Sequence, residues 1–483
     1  MNYLLVEGIL GRLMVAYATF MGAPLLVALA WQEGSVLGLL ISVIVILILG
    51  VIMVSHGQKD GRMGLREGFV IVAGAWILTS LAGALPFALT GAVPTYLDGL
   101  FETVSGLTTT GASVIDNVEI LPQSILLWRG MTHWLGGMGI IVLFIVFLPN
   151  ITGAVHLFNA EVPGPISERV LPRIRDNALK LWQIYLGLTL AQIILLVLAG
   201  MNWFDAINHS FATMATGGFS TKNTSIMYYD SLGLELIIIA FMMIAGGNFG
   251  LYYQAWRSGI KKILKDVEFQ FYILIIVVAT LMIALSLWWT MERGGGNSLR
   301  HALFQVVSIM TTTGFASDDF NQWPSVSKFI LLCLMFIGGS AGSTAGGIKV
   351  SRIILLFKLA WAELKRAIHP KAVIDVRFAK RTVDPSILNT VAVFFFLFLS
   401  IFAFATLLIT ATGLEPFDAM SAVAATLGNV GPGFGVIGPT TTYSTINAFG
   451  ESVLILCMLL GRLELFTLLV LIQPEFWRSR KGW

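Results

Sequence analysis

Charge is what this sequence has least of. Only 12% of its 483 residues are Asp, Glu, Lys or Arg, about half the roughly 25% of an ordinary soluble domain. With 56% hydrophobic residues and a mean hydropathy of +0.83, a water-soluble fold would need a very large buried core, and the composition reads as a polytopic membrane protein. Cysteine is scarce as well. Cys333 and Cys457 lie in apolar stretches with no CxxC spacing; they read as small membrane-buried hydrophobes and say nothing about redox compartment. No nucleophile–base constellation, metal-ligand cluster or phosphate-binding motif stands out, which argues against an enzyme. No small-residue cleavage site follows the first apolar run, which continues into a full span, so it does not read as a signal peptide.

Crossing the hydrocarbon as a helix takes about 20 apolar residues. Stretches of that kind lie near 12–31, 35–55, 68–91, 124–148, 181–201, 231–256, 270–290, 326–357, 388–412 and 449–472, predicting ten crossings, the eighth unusually long. Four shorter stretches near 98–110, 205–217, 301–313 and 418–430 sit between them. A 13-residue helix is about 20 Å long, too short for a core of roughly 30 Å, so each must enter and leave on one side or lie at an interface. Basic residues gather in alternate loops: Lys59, Arg62 and Arg66; Arg169, Arg173, Arg175 and Lys180; Arg257, Lys261, Lys262 and Lys265; eight more from Arg352 to Arg381; and Arg478, Arg480 and Lys481. The opposite loops carry acids such as Asp116, Glu119, Asp318, Asp319 and Glu451. The excess of Lys and Arg marks the cytoplasmic side. Both termini are then expected to be cytoplasmic and the short helices to enter from outside.

A repeat runs through the chain. Asp98 precedes Gly111 by 13 residues, as Asp205 precedes Gly218 and Asp418 precedes Gly431; His301 stands at the same spacing from Gly314. Aligned, the copies read DGLFETVSGLTTTGAS, DAINHSFATMATGGFS, HALFQVVSIMTTTGFA and DAMSAVAATLGNVGPG. The unit is span, half-helix, Thr/Gly loop, span, four times over after an extra N-terminal pair. The expected divisions are 1–66 for the extension, then 67–160, 161–265, 266–370 and 371–483 for the repeats. The leading Asp is an N-cap residue type, with Asn297 or Ser298 expected to cap the third copy. A descending half-helix points its negative C-terminal end into the membrane, favouring a monovalent cation where four converge. Non-helical backbone at that depth is tolerated only where protein buries it or a water-filled cavity meets it. Glycine allows the needed dihedrals and exposes carbonyls. The candidate filter is Thr109, Thr110 and Gly111; Thr216, Gly217 and Gly218; Thr312, Thr313 and Gly314; and Asn429, Val430 and Gly431. Hydroxyls of Thr110, Thr216 and Thr313 are expected to add oxygens close by. Uncharged oxygens can replace an ion's hydration shell, and without carboxylates the loops do not suit a divalent ion.

Two features concern passage below the filter. GGSAGSTAGG at 338–347 interrupts the eighth span with residues of poor helix propensity. It reads either as close helix packing through small residues or as an intramembrane loop that blocks the path, with Gly338, Gly339, Ser340, Gly342, Gly346, Gly347 and Lys349 as gate residues. Arg462 lies within VLILCMLLGRLELFTLLVLI, where a charge is costly and usually faces the protein interior. Glu464, two residues on, does not share its helical face. Arg462 is expected to regulate passage, with carbonyls of the 338–347 loop as its partners; the alternative is a structural tie between repeats. His133 and Arg129 read as anchors at the outer interface, and His209 as packing rather than a proton relay.

At these loops the chain resembles the Trk/Ktr/HKT superfamily of potassium transporters, closest to the TrkH type, over nearly its whole length. The resemblance implies an all-α integral membrane fold with pseudo-fourfold repeats around one pore, and a filter at Gly111, Gly218, Gly314 and Gly431. Potassium, held at Thr110, Gly111, Gly217, Gly218, Thr313, Gly314, Val430 and Gly431, is then the substrate, with no bound cofactor. No loop has the TVGYG string of true potassium channels, implying looser discrimination against sodium. Asn429 and Val430 replace the Thr, Ala or Gly of the other loops, leaving open whether the fourth loop offers side-chain oxygens. Further implications are a homodimer in membrane lipid, in the bacterial inner membrane, a cytoplasmic nucleotide-binding ring (NAD or ATP) as regulatory partner, and no nucleic acid. The rival readings are a sodium-permeable or proton- or sodium-coupled transporter of the same architecture, and a non-transporting membrane scaffold.

Overall fold

The computed structural model describes residues 1–58, 63–139, 174–259, 261–292, 294–379 and 381–478. Of the basic residues named above, Lys59, Arg62, Arg169, Arg173, Arg480 and Lys481 lie outside these ranges, as do residues 140–148 of the expected 124–148 span.

The first two helices, α1 (Tyr3–Ala30) and α2 (Val36–His56), form an antiparallel hairpin. Asn2 caps α1 by accepting the Leu5 N–H at 3.2 Å. Small residues let the backbones close: a Cβ on Gly11 would lie 2.7 Å from Met53 Cβ. Such packing drives helix association in lipid, where apolar burial gives no advantage. The hairpin lies against α3 (Leu65–Leu89) and α5 (Gln123–Gly137), between which runs the short α4 (Tyr96–Leu107).

The same long–short–long order recurs. The second set is α6 (Ile174–Leu198), α7 (Trp203–Ala215) and α8 (Leu232–Ala245), with α9 (Phe249–Ser258) and α10 (Lys261–Lys265) following. Next come α11 (Val267–Met291), α12 (Gly295–Met310), α13 (Ser325–Ile337) and α14 (Val350–Ile368). The last are α15 (Pro385–Thr410), α16 (Pro416–Leu427), α17 (Ala448–Arg462), α18 (Phe466–Ile472) and α19 (Pro474–Trp477). Strands β1 (Arg377–Phe378) and β2 (Arg381–Thr382) form a small antiparallel hairpin, a minor exception to the helical fold.

Among the described residues, six helices are long and apolar enough to cross a membrane, or eight if each of two bent pairs counts as one span. Three of the expected spans are interrupted, the third of them where the small-residue run at 338–347 predicts it. The 231–256 stretch bends by 93° between α8 and α9, and 449–472 by 116° between α17 and α18. The 326–357 stretch stops at Ile337 and resumes at Val350. Hydropathy is blind to the two bends because their joints, Gly246–Asn248 and Leu463–Leu465, are short; at the second, Glu464 and Leu465 take positive φ of 54° and 57°.

The leading Asp residues are not N-caps. Thr95 caps α4, and Asp98 sits third in the helix, its carboxylate accepting the Thr95 N–H at 2.8 Å. Asn202 caps α7 and Glu415 occupies the cap position of α16, placing Asp205 and Asp418 likewise in the third position. There a carboxylate meets the same dipole, and in α4 it completes a capping box with Thr95, so the spacing survives the shift in role. In the third copy Gly294 is the cap, and Asn297 and Ser298 lie inside α12.

Candidate ion-conduction site

Each short helix ends in the same backbone motif. The N–H of Thr109 donates to Gly106 O at 3.1 Å and that of Thr110 to Ser105 O at 2.9 Å. Thr216 and Gly217 repeat this onto Thr213 and Ala212, Thr312 and Thr313 onto Ile309 and Ser308, and Asn429 and Val430 onto Thr426 and Ala425. This is a Schellman turn, which needs a left-handed residue just past the helix. Thr109, Thr216, Thr312 and Asn429 all supply it, with φ between 54° and 56°. Two residues on, Gly111, Gly218, Gly314 and Gly431 take φ of 82°, 82°, 78° and 98°.

The turns leave one carbonyl per loop between these residues, at Thr110, Gly217, Thr313 and Val430, and those four carbonyls are arranged cyclically. A Cβ on Gly111 would collide with Gly217 O, one on Gly218 with Thr313 O, one on Gly314 with Val430 O, and one on Gly431 with Thr110 O. The contacts run from each loop to the next and close on the first. All twelve expected filter positions therefore lie in one ring. Thr109, Thr110, Thr216, Thr312, Thr313, Asn429 and Val430 are buried.

The threonine hydroxyls, expected to supplement the ring, are engaged elsewhere. Thr110 Oγ1 pairs with Thr108 Oγ1 at 2.7 Å and accepts from Asn429 Nδ2 at 3.0 Å; Thr313 Oγ1 pairs with Thr311 Oγ1 at 2.8 Å. Thr216 Oγ1 donates to Ala215 O at 2.6 Å. Asn429 Nδ2 also donates to Met458 O at 3.0 Å. These three hydroxyls brace the turns, so none of the three supplements the backbone carbonyls of the ring. Among the described residues there is no group of three or more His, Cys, Asp or Glu able to hold a metal.

His133 and Arg129, expected at the outer interface, are instead buried behind the ring. His133 Nδ1 lies 2.7 Å from Gly106 O, its Nε2 accepts the Phe219 N–H at 3.1 Å, and its ring stacks on Phe219. Arg129 pairs with Glu102, donates to Ser220 O at 2.9 Å, and covers the Phe219 ring. Glu102 also accepts the Val114 N–H at 3.2 Å. A buried ion pair thus ties the outgoing arms of loops one and two. Hydropathy hid it because each charge is a lone polar residue in an apolar stretch. His209 is fully buried, with Nε2 2.9 Å from Ser220 Oγ, and packs as expected.

Residues 338–349 form an irregular segment against the inner ends of the short helices. Gly338, Gly342, Gly347 and Lys349 take positive φ of 74°, 71°, 76° and 83°. The Gly346 N–H donates to Thr312 Oγ1 at 2.7 Å, and a Cβ on Gly346 would lie 3.0 Å from Asn429 Cβ, placing this segment directly against loops three and four. Thr344 Oγ1 donates to Met214 O and Ala245 O, each at 3.1 Å. The Ser340 N–H donates to Gly246 O at 2.9 Å, and a Cβ on Gly339 would lie 2.8 Å from that same oxygen. Lys349 is buried, its Nζ donating to Ala345 O at 2.6 Å. Arg462 donates to Thr344 O at 2.8 Å and, through its other terminal nitrogen, to Gly136 O at 2.6 Å and Gly137 O at 3.0 Å. It bridges the segment to the end of α5. Glu464 pairs with Arg352.

The model of the TrkH family, described as a cation transport protein, matches residues 39–479. The chain is 41% identical to the Trk system potassium uptake protein TrkH of Escherichia coli K12 over 485 residues, covering 99% of this chain and all of that one. It is likewise 41% identical to the TrkH of Halomonas elongata over 488 residues, with the same coverage. Its structure is similar to the crystal structure of the potassium transporter TrkH from Vibrio parahaemolyticus, with a TM-score of 0.91, 39% identity and coverage of 99% of this chain and 100% of that one. The carbonyl ring and the full-length matches agree: this chain belongs to the TrkH family of cation transport proteins, and it is not an enzyme.

Proposed function

We propose that this chain carries potassium into the cell through the four-loop ring. The observation that carries the reading is the cyclic closure of four carbonyls, Thr110, Gly217, Thr313 and Val430, each against the glycine of the preceding loop. Potassium sheds water on reaching this ring and is held by neutral oxygens there and at Gly111, Gly218, Gly314 and Gly431. The four short helices direct their C-terminal partial charges at the ion. Around them the chain forms four pseudo-fourfold repeats after the N-terminal hairpin, crossing the inner membrane ten times with both termini cytoplasmic. The broken helices are consistent with this, since irregular backbone at membrane depth belongs beside a water-filled path.

The 338–347 segment acts as the gate. It lies against loops three and four, with Lys349 and Arg462 donating to its own carbonyls at Ala345 and Thr344 and Arg462 tying it on to Gly136 and Gly137. Two copies assemble in the bilayer, each with its own pore, and a cytoplasmic nucleotide-binding ring, using NAD or ATP, supplies the regulation. Relatives named as components of a Trk system support a multi-subunit assembly.

The test is flux. Purified chain in proteoliposomes under a controlled voltage passes potassium and rubidium more readily than sodium, and rubidium uptake in a potassium-transport-deficient host depends on it. Equal sodium and potassium permeation would favour a sodium-permeable transporter of the same build; no uptake would refute transport.

A further inference from the structure

The residues that hold the 338–349 segment from its basic side form a unit of their own. Chain 248–268 leaves α8 at the 93° bend, runs through α9 and α10, and returns into α11. Its two ends grip adjacent residues of the segment. At the first end the Phe249 N–H donates to Gly342 O at 3.1 Å, beside Asn248, whose Oδ1 caps α9 through the Gly250 and Leu251 N–H groups at 2.8 and 3.3 Å. At the second end Glu268 Oε1 accepts the Ala341 N–H at 2.7 Å and the Ser351 N–H at 3.2 Å.

Glu268 is only 8% exposed, although it stands in the first turn of a helix that enters an apolar environment. A carboxylate buried at that point is costly unless it is well satisfied. One of its two donors lies within the irregular run and the other in the first turn of α14. A single carboxylate oxygen thereby fixes the distance between Ala341 and Ser351, and with it the path of the intervening chain. Lys349, whose φ of 83° is unfavourable for a side-chain-bearing residue, lies between these two anchors. The chain is held there in a conformation it would not choose unaided.

We propose that stretch 248–268 is a clasp on the intramembrane loop, with Glu268 as the positioning residue that closes it. The consequence for flux rests on the gate reading above; the clasp itself does not. Between its gripping ends the stretch carries Lys261, Lys262 and Lys265 on a five-residue helix, so movement of this basic linker is transmitted to Ala341 and Gly342 through two points of attachment.

The test separates the two readings. In a Cys333→Ser, Cys457→Ser background, Ser343→Cys reports access to the loop by its rate of reaction with a membrane-impermeant thiol reagent in inside-out vesicles. Adding Glu268→Ala removes both acceptor bonds and accelerates labelling about tenfold, the effect of losing charge-assisted bonds of this kind. Glu268→Gln keeps an acceptor oxygen and gives an intermediate rate. If labelling in folded Glu268→Ala and Glu268→Gln protein matches the parent, the clasp is overturned. If labelling rises and rubidium flux rises with it, clasp and gate both stand. If labelling rises while flux stays at the parent level, the clasp stands and the gate reading falls.

Discussion

At the residue scale, the ring depends on backbone conformations that side chains resist. A left-handed residue other than glycine is unfavourable by roughly 1–2 kcal/mol, and Thr109, Thr216 and Thr312 are β-branched, the least suited to it. Asn429 fills the fourth place with a residue type that tolerates left-handed backbone and uses its amide to reach Thr110 and Met458. Replacing Thr109 by Gly removes about 1–2 kcal/mol of local strain but frees the turn; a raised melting temperature with reduced potassium-over-sodium preference in flux assays is expected. Gly111→Ser places a side chain against Gly217 O, and ion selectivity measured in proteoliposomes falls sharply; unchanged selectivity would remove Gly111 from the ring. The glycine positions were legible from spacing alone. The roles of the threonines were not, because a hydroxyl able to face an ion is equally able to brace a turn, and composition does not distinguish the two.

At the scale of elements, two polar ties decide how the short helices are held. Glu102 and Arg129 are buried together, and deleting one partner leaves an unpaired charge, a loss of about 3–5 kcal/mol. Arg129→Met therefore lowers thermal stability in detergent markedly, and pairing it with Glu102→Met restores much of the loss. Arg462 joins α17 to the loop at Thr344 and to α5 at Gly136 and Gly137. Arg462→Ala releases the loop from α5, and rubidium flux through the chain without a partner rises; normal flux in folded protein would refute the pinning role. The break at 338–347 was readable because ten small residues in a row cannot sustain a helix. The bends after α8 and α17 were not, since three residues at each joint do not alter a hydropathy window. The capping register was misread for a different reason: an acid near a helix start satisfies the same dipole at the first position or the third, so spacing fixes the helix without fixing the cap.

At the scale of the molecule, the recurrence of a short helix followed by a left-handed glycine loop was the part most open to reading, because it rests on a long-range regularity rather than on single contacts, whereas the proposed orientation rests on the distribution of basic residues alone. A fluorescent protein fused at either terminus is expected to fluoresce and alkaline phosphatase inserted after Thr445 to be active; the opposite pattern would invert the proposed topology. The ring also bears on how the protein comes into being. Its closing contacts join Gly431 to Thr110, and Asn429 to Thr110 across 319 residues of sequence. A ribosome that has delivered the first three loops has made an arc with an open side. Until the final quarter emerges and docks against the first, the nascent chain holds exposed polar backbone within the bilayer and no enclosed place for an ion, so ion passage begins only when synthesis is all but complete.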